Sequence, residues 1–142
     1  MSMKWLLPVD GSEAALHAVR AAIEEAKQCG TPPALLLLNV QGPLSRDITR
    51  FVNGDTLKEF HEENGTAAMA EAKKLLDASA LPYSSKIVIG ETAQAIADAA
   101  AADTCTRIVM GARGMGSVMG MLMGSVTTKV IHLSPVPVLL VK

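Results

Sequence analysis

Short apolar runs alternate with helical segments along the whole chain, and this alternation restricts the fold more than any other feature. A helix between two strands returns the chain to the same edge of a sheet, so neighbouring strands are parallel and the crossover is right-handed. The sequence therefore predicts an α/β fold, an open doubly wound sheet of five parallel strands with helices on both faces. The predicted strands are residues 4–9, 34–40, 83–89, 107–110 and 136–141, and the predicted helices are residues 12–29, 55–80, 92–102 and 125–133.

The first predicted helix shows the pattern most clearly. Its large apolar residues Leu16, Val19 and Ile23 recur at intervals of three and four, which places them on one face. Gly30 and the prolines that follow it then end the helix.

The second predicted helix, residues 55–80, should also turn one apolar face to the core. The residues expected on that face are Leu57, Phe60, Ala68, Ala72, Leu75 and Leu76. Residues 41–53, which precede it, show no period and are predicted to form a loop.

The composition fits one domain of this class. Hydrophobic residues make up 49% and charged residues 19% of the 142 residues, which is enough apolar material for a buried core. Aromatic residues are only 3%, so the core must consist of aliphatic side chains, as in helices packed on a parallel sheet. Because no linker or internal repeat interrupts the chain, residues 1–142 are predicted to form a single domain.

The charge distribution argues against nucleic acid as a partner. The chain has 13 basic and 14 acidic residues, a net charge of −1, and no run of either sign. Nucleic-acid binding depends on clustered Lys and Arg side chains. The apolar stretch near the N-terminus is interrupted by Pro8 and Asp10 and is too short for a signal peptide or a membrane span. We therefore expect a cytoplasmic protein without membrane insertion.

The cysteines and histidines do not predict a metal site. Cys29 and Cys105 lack nearby ligands and are expected to be small buried hydrophobic residues. His17, His61 and His132 each lie in a different helical setting and are expected on the surface or packed in the core. The sequence also lacks the Ser-x-x-Lys and Gly-x-Ser-x-Gly arrangements of nucleophilic hydrolases.

Three segments should meet where a doubly wound sheet binds its ligand, outside the carboxyl ends of the strands. They are residues 10–12 after the first strand, residues 40–42 after the second, and the glycine-rich segment from Gly111 after the fourth. Asp10 is the only acid that the sequence places in this crevice. Fast phosphoryl transfer requires several metal-binding carboxylates and a base, so slow hydrolysis or autophosphorylation is the most that one carboxylate allows.

The glycine-rich segment 111–124 matches neither of two common phosphate-binding motifs. A Walker A loop needs Lys and then Ser or Thr after its last glycine, whereas Gly124 is followed by Ser125 and Val126. A dinucleotide fingerprint follows the first strand, and here Met119 stands where its last glycine would be.

The same segment still suits phosphate on physical grounds. Gly111 and Gly114 lack a Cβ atom, so the backbone can approach a ligand closely. Gly124 and Ser125 begin a helix, whose amides and positive dipole end attract anions. A flexible surface loop without a ligand explains the glycine spacing equally well.

The pattern Gly111-x2-Gly114-x9-Gly124-Ser125 resembles the nucleotide motif of ATP-binding universal stress proteins. The likeness extends over essentially the whole chain, with Val9-Asp10-Gly11-Ser12 after the first strand and an apolar strand at the end. The resemblance implies the Rossmann-like fold of the adenine nucleotide alpha hydrolases. It also implies ATP, alone or with Mg²⁺, as the ligand.

The resemblance assigns a role to each residue of the motif. Asp10 would contact the ribose or the phosphates; alternatively it is a helix N-cap. The backbone at Val40 would read the adenine edge; alternatively Val40 is an ordinary strand residue. Gly111 and Gly114 would follow the ribose and phosphates, Arg113 would lend charge, and the start of the last helix would bind the terminal phosphates. The full set is Pro8, Val9, Asp10, Val40, Gly111, Arg113, Gly114, Gly124, Ser125 and Val126.

The chain departs from the family pattern in two places. Asn39 occupies a position where histidine is frequent. Met115, Met119, Met121 and Met123 stand where leucine is more usual, and with Met110 they place five of the eight methionines in this part of the chain. They are expected to cover the sheet edge, and a lid, a partner-docking patch and a Cu(I) site are the alternatives.

By this resemblance the protein is expected to be a regulatory switch in a stress response. ATP would change the order of the loop between Gly114 and Gly124 and thereby the protein partner recognised. Two alternatives stay open: a slow ATPase or autokinase using the hydroxyls of Ser117 or Ser125, and an interaction module without obligatory nucleotide. In each case the last strand, residues 136–141, is an apolar edge expected to pair with its copy in a homodimer.

Overall fold

The computed structural model describes residues 2–44, 46–112 and 123–142. The strands in this part of the chain are β1 (Lys4–Pro8), β2 (Ala34–Gln41), β3 (Tyr83–Ile89), β4 (Arg107–Gly111) and β5 (Val138–Val141). The helices are α1 (Glu13–Gln28), α2 (Arg46–Thr49), α3 (Gly54–Ser79), α4 (Thr92–Ala102) and α5 (Ser125–Leu133). None of these helices combines the length and the apolar character of a membrane span.

The five strands are parallel and form one sheet in the order β3-β2-β1-β4-β5. The chain moves outward from β1 through β2 to β3, and then returns to the other side of β1 for β4 and β5. This reversal defines a doubly wound sheet. The predicted five-stranded parallel α/β fold is confirmed.

Side chains of the central strand β1 alternate between two buried layers. Trp5 and Leu7 belong to a cluster with α1 and α3, whereas Leu6 belongs to a cluster with α4 and α5. All three are at most 2% exposed, as expected for a strand covered on both faces. The predicted helices on both faces of the sheet are therefore present.

At the amino end of β1, a charged pair covers Trp5. The guanidinium carbon of Arg107 lies 4.5 Å from the centroid of the Trp5 ring, in a cation–π contact. Nη1 of Arg107 also lies 3.6 Å from Oε2 of Glu25. These contacts close the end of the sheet opposite the predicted binding crevice.

The inward face of α3 differs from the prediction. Phe60 was expected in the core but is 45% exposed, and its neighbour His61 is buried instead. The buried residues of α3 are His61, Gly65, Met69, Ala72 and Leu76. Gly65 sets this orientation: a Cβ atom there would lie 2.5 Å from Cδ1 of Ile87, so glycine lets α3 approach β3 this closely.

Several element boundaries also differ from the prediction. The predicted loop 41–53 contains the one-turn helix α2, and β2 reaches Gln41, whose carbonyl oxygen accepts the N–H of Gly90 over 3.0 Å. Strand β5 begins only at Val138. Pro137, just before it, has no N–H to donate to the neighbouring strand.

The cysteines and histidines differ in how deeply they are buried. Cys105 is buried as expected, whereas Cys29 is half-buried because it follows α1 as its C-cap. His61 is packed in the core, and His17 and His132 are exposed. Within the described residues, no three His, Cys, Asp or Glu side chains are grouped so that they could hold a metal ion.

Candidate functional site

The carboxyl ends of β1 and β4 lie side by side where the strand order reverses. Strand β1 ends at Pro8 and leads into the turn at Asp10, and β4 ends at Gly111 and leads into the glycine-rich segment. In doubly wound sheets, ligands bind in the crevice at this point. The candidate site is built on these two strand ends.

Two hydrogen bonds bring the ends of the glycine-rich segment together. The N–H of Gly124 donates to the carbonyl oxygen of Ala112 over 2.9 Å. The buried hydroxyl of Thr127 donates to the carbonyl oxygen of Gly111 over 3.2 Å. The end of β4 and the start of α5 are therefore fixed against each other, which a single ligand contacting both would require.

Helix α5 begins at this site without a capping side chain. Its N-cap is Gly124, whereas the side chains of Ser12, Asn53 and Glu91 accept backbone N–H groups at the starts of α1, α3 and α4. The positive end of the α5 dipole faces the crevice. Since the N–H of Gly124 is engaged with Ala112, amide donors for a ligand have to come from the residues that follow it in the first turn.

The Asp10 carboxylate closes a tight turn and remains exposed. Its Oδ1 accepts the N–H of Ser12 over 2.9 Å. Ser12 in turn caps α1 by accepting the N–H of Ala15 over 3.2 Å, so the alternative role of Asp10 as the N-cap is wrong. Gly11 between them has φ +88°, a left-handed conformation that favours glycine.

Asn39 fixes the floor of the site, a role that the sequence analysis missed. The side chain is 2% exposed although it belongs to the apolar strand β2. Its Nδ2 donates to the carbonyl oxygen of Val9 over 2.9 Å, and its Oδ1 accepts from Nε2 of Gln41 over 2.6 Å. The available signal was an amide side chain within the apolar run of β2, because a buried amide needs such partners.

A cavity of about 300 Å³ opens beside the strand ends, on the face of the sheet that carries α4 and α5. Its volume lies at the lower end of the range for small-molecule sites. The lining residues are Pro8, Val9, Asp10, Leu38, Val40, Thr92 and Val126. Leu38 and Thr92 were not predicted; the other lining residues were. A second cavity of about 10 Å³, lined in part by Gly111 and Thr127, also touches Asp10.

The remaining predicted site residues fall into two groups. Gly124 is buried at the start of α5, with Ser125 exposed next to it. Arg113 and Gly114 lie outside the described residues, as do the methionines at positions 115, 119 and 121.

A sequence model described as the universal stress protein family matches residues 1–142. The chain belongs to the universal stress protein family. A relative from Thermus aquaticus, named as a universal stress protein in the QAH/OAS sulfhydrylase 3′ region, is 33% identical over 138 residues, which is 96% of each chain.

Solved structures show that this universal stress protein shares its fold with similar proteins. The hypothetical protein MJ0577 superimposes with a TM-score of 0.82 at 30% identity, covering 100% of this chain and 96% of the other. A universal stress protein in complex with cAMP superimposes with a TM-score of 0.71 at 26% identity, covering 99% of this chain and 97% of the other. A similar protein therefore holds an adenine nucleotide.

The charge of the described cavity lining comes from one residue. Asp10 is the only ionisable side chain among the described residues that line the cavity. Phosphoryl transfer at speed also requires a base and further metal-binding carboxylates. The rest of the described lining is largely apolar, and the start of α5 contributes Val126 to it.

Proposed function

We propose that this universal stress protein binds ATP in the cavity beside β1 and β4 and acts as a nucleotide-dependent switch for partner recognition. The observation that carries the proposal is the hydrogen bond from Gly124 to Ala112, which holds the start of α5 beside the strand ends that line the cavity. A helix start next to a largely apolar cavity suits a ligand with phosphates at one end and a flat base at the other. The similar protein bound to cAMP supports an adenine base.

Each part of the nucleotide has a matching surface in the site. Val40 offers apolar contact to the adenine, and the Asp10 carboxylate would contact the ribose or the phosphates. The first turn of α5 would receive the phosphates. Mg²⁺ prefers carboxylate and phosphate oxygens, so Asp10 is the residue that would hold it together with the phosphates.

Calorimetry and thermal melting test the binding. We expect ATP with Mg²⁺ to bind with a Kd in the range of about 1–10 µM, which corresponds to about 7–8 kcal/mol. Binding raises the melting temperature because the ligand binds only the folded protein. Absence of both heat and a thermal shift at millimolar ATP would contradict the proposal. Tighter binding of cAMP than of ATP would retain the adenine site and reject ATP as its ligand.

A pair of variants on α5 localises the site. Val126→Asp places a carboxylate in the cavity near the phosphates and is expected to weaken ATP by about tenfold or more. Ile131→Asp adds the same charge at an exposed position of the same helix, away from the cavity, and should leave ATP affinity unchanged. Equal losses in the two variants would show that ATP binds elsewhere.

Asp10→Asn separates the charge of Asp10 from its structural role. Asparagine keeps an Oδ1 acceptor for the N–H of Ser12, so the turn is retained. We expect the variant to weaken ATP with Mg²⁺ more than ATP alone. An equal change in both titrations would show that Asp10 does not bind Mg²⁺.

Hydrogen exchange tests the switch itself. ATP is expected to slow amide exchange at Val126 and Thr127, in the first turn of α5, because phosphate contacts stabilise that end of the helix. Binding without any change in exchange would reduce the protein to a static nucleotide carrier. The nucleotide recovered after several hours should be intact ATP, and its conversion to ADP would favour the slow ATPase instead.

We also propose that β5 forms the interface of a homodimer. This strand is one edge of the sheet, and its Leu139 is 37% exposed. An apolar edge strand invites pairing with another chain. Light scattering should give twice the chain mass of 14.9 kDa. Leu139→Lys should yield the monomer, whereas Leu133→Lys, at an exposed position of α5, should not; a monomeric unaltered protein would contradict this interface.

A further inference from the structure

A second cavity lies on the face of the sheet opposite the candidate nucleotide site. It has a volume of about 640 Å³ and forms a groove between α3 and the edge strand β3. It shares no lining residue with the cavity beside β1 and β4. Its volume is typical of small-molecule sites.

The floor of the groove is apolar. Ile87 faces α3 at Gly65, so the alternation of side chains places Ser85 and Ile89 on the same face of β3. Met69 contributes to the floor from α3 and is only 2% exposed. Covering this apolar surface with the apolar part of a ligand removes it from water and so favours binding.

Lys73 lies toward the Ser85 end of the groove. Only residues 80–82 connect α3 to β3, so the helix and the strand run in opposite directions and the C-terminal part of α3 lies beside the beginning of β3. Side chains on a helix lean toward its N-terminus, which directs the Lys73 ammonium back along the groove. Lys73 is half-buried and lines the cavity.

Several polar side chains that line the groove have no hydrogen-bond or ion-pair partner within the described ranges. Nδ1 of His61 is buried and makes no hydrogen bond with a described residue. Neither the Lys73 ammonium nor the Ser85 hydroxyl forms an ion pair or hydrogen bond with a described residue, whereas the adjacent Lys74 pairs with Glu71 over 3.0 Å. Of these groups only Nδ1 of His61 is fully buried, and a buried polar atom normally has a partner in a folded protein.

We propose that this groove binds a small amphipathic organic anion, with one acidic group on an apolar body. The acidic group lies between the Lys73 ammonium and the Ser85 hydroxyl, which both donate hydrogen bonds to it. The apolar body covers Met69 and Ile87 and extends toward His61. The site goes beyond the proposed nucleotide function and does not depend on it.

Decanoate is the probe for this site. In protein labelled with ¹³C at the Met and Ile methyl groups, decanoate should produce saturable shifts at Met69 and Ile87, with a Kd of about 1 mM or below. Decylammonium has the same chain with the opposite charge and should bind at least about tenfold more weakly than decanoate, because Lys73 repels it.

Two neighbouring lysines provide matched variants. Lys73→Glu should weaken decanoate by about tenfold or more, whereas Lys74→Glu, one residue later and outside the groove, should leave its affinity unchanged. Lys73→Gln serves in place of Lys73→Glu if circular dichroism shows that the glutamate variant is misfolded. Val126→Asp should not affect decanoate, so the outcome is independent of whether ATP binds.

The proposal is overturned if decanoate causes no saturable shifts at Met69 and Ile87. Equal binding of decylammonium, or equal effects of the Lys73 and Lys74 variants, would overturn it as well. Either result would show that Lys73 does not bind the acidic group of the ligand. Competition between ATP and decanoate would place both ligands in one cavity and would also reject a second site.

Discussion

The side-chain Nδ2 of Asn39 donates a hydrogen bond of 2.9 Å to the carbonyl oxygen of Val9. Both residues are buried, and they join the ends of β2 and β1 directly below the exposed Asp10. A hydrogen bond shielded from water is costly to remove, because the group left behind has no alternative partner. The backbone of the candidate site is therefore held in place before any ligand arrives.

Removing this bond should destabilise the protein. Asn39→Leu keeps the approximate size of the side chain but leaves the Val9 carbonyl without its partner, and the free energy of unfolding should fall by about 1–3 kcal/mol. Gln41→Leu removes only the half-buried donor to Asn39 and should cost less than about 1 kcal/mol. Urea denaturation followed by circular dichroism measures both, and an equal loss in the two variants would contradict the role of Asn39.

The threonine that joins α5 to β4 should matter for both stability and binding. Thr127→Val removes the buried bond to the Gly111 carbonyl and should lower the free energy of unfolding by about 1–2 kcal/mol. It should also weaken ATP, because the start of α5 is no longer fixed to β4. Thr128→Val is the control, since that hydroxyl bonds only to the Gly124 carbonyl of its own helix and contributes at most about 0.5 kcal/mol. Equal stability of the two variants would refute the prediction.

The C-terminal end of α3 carries a strained residue. Ala80 has φ 60° and ψ 14°, in the left-handed region that disfavours a Cβ atom. Ala80→Gly should raise the free energy of unfolding by about 1 kcal/mol. Ala70→Gly, at an exposed position inside the same helix, should lower it by about 1 kcal/mol. Thermal melting of both variants checks the opposite signs, and destabilisation by both would disprove strain at Ala80.

The only tyrosine of the chain should titrate at unusually high pH. The Tyr83 hydroxyl donates to the Asp77 carboxylate, and this bond, partial burial and the negative charge of Asp77 raise the pKa of Tyr83 above its ordinary value. The folded state thus favours the protonated phenol, so this contribution to stability is present at neutral pH and is lost as the pH rises through the folded-state pKa.

Ultraviolet absorbance of the phenolate measures this titration directly. Asp77→Asn retains an acceptor but removes the charge, and should lower the pKa of Tyr83 toward its ordinary value. Asp98→Asn, on the exposed surface of α4, is the control and should leave the titration unchanged. An identical curve in the unaltered protein and Asp77→Asn would contradict the assignment.

The fold was predictable because the hydrophobic period carries the secondary structure. Leu16, Val19 and Ile23 lie on one face of α1 and are all buried, as their spacing indicated. The strand ends were equally visible, since Asp10 follows an apolar run directly. These features depend on residues close together in the sequence.

What the sequence did not reveal depends on contacts between distant segments. The spacing of Phe60 with the other apolar residues of α3 indicated a core position. The side of α3 that faces the sheet is instead decided by the approach of Gly65 to Ile87. The engagement of the Gly124 amide by Ala112 likewise became visible only in three dimensions. Such pairings depend on how distant segments pack together, and the local spacing of apolar residues gives no information about that packing.

The position of Trp5 has a practical consequence for all of these measurements. This indole is the only tryptophan of the chain, and it lies under Arg107 at the end of β1 remote from the carboxyl edge. Its fluorescence should change when the sheet comes apart and stay constant when a small molecule occupies either cavity. One sample can thus yield conformational stability from emission and occupancy from calorimetry, without either signal contaminating the other.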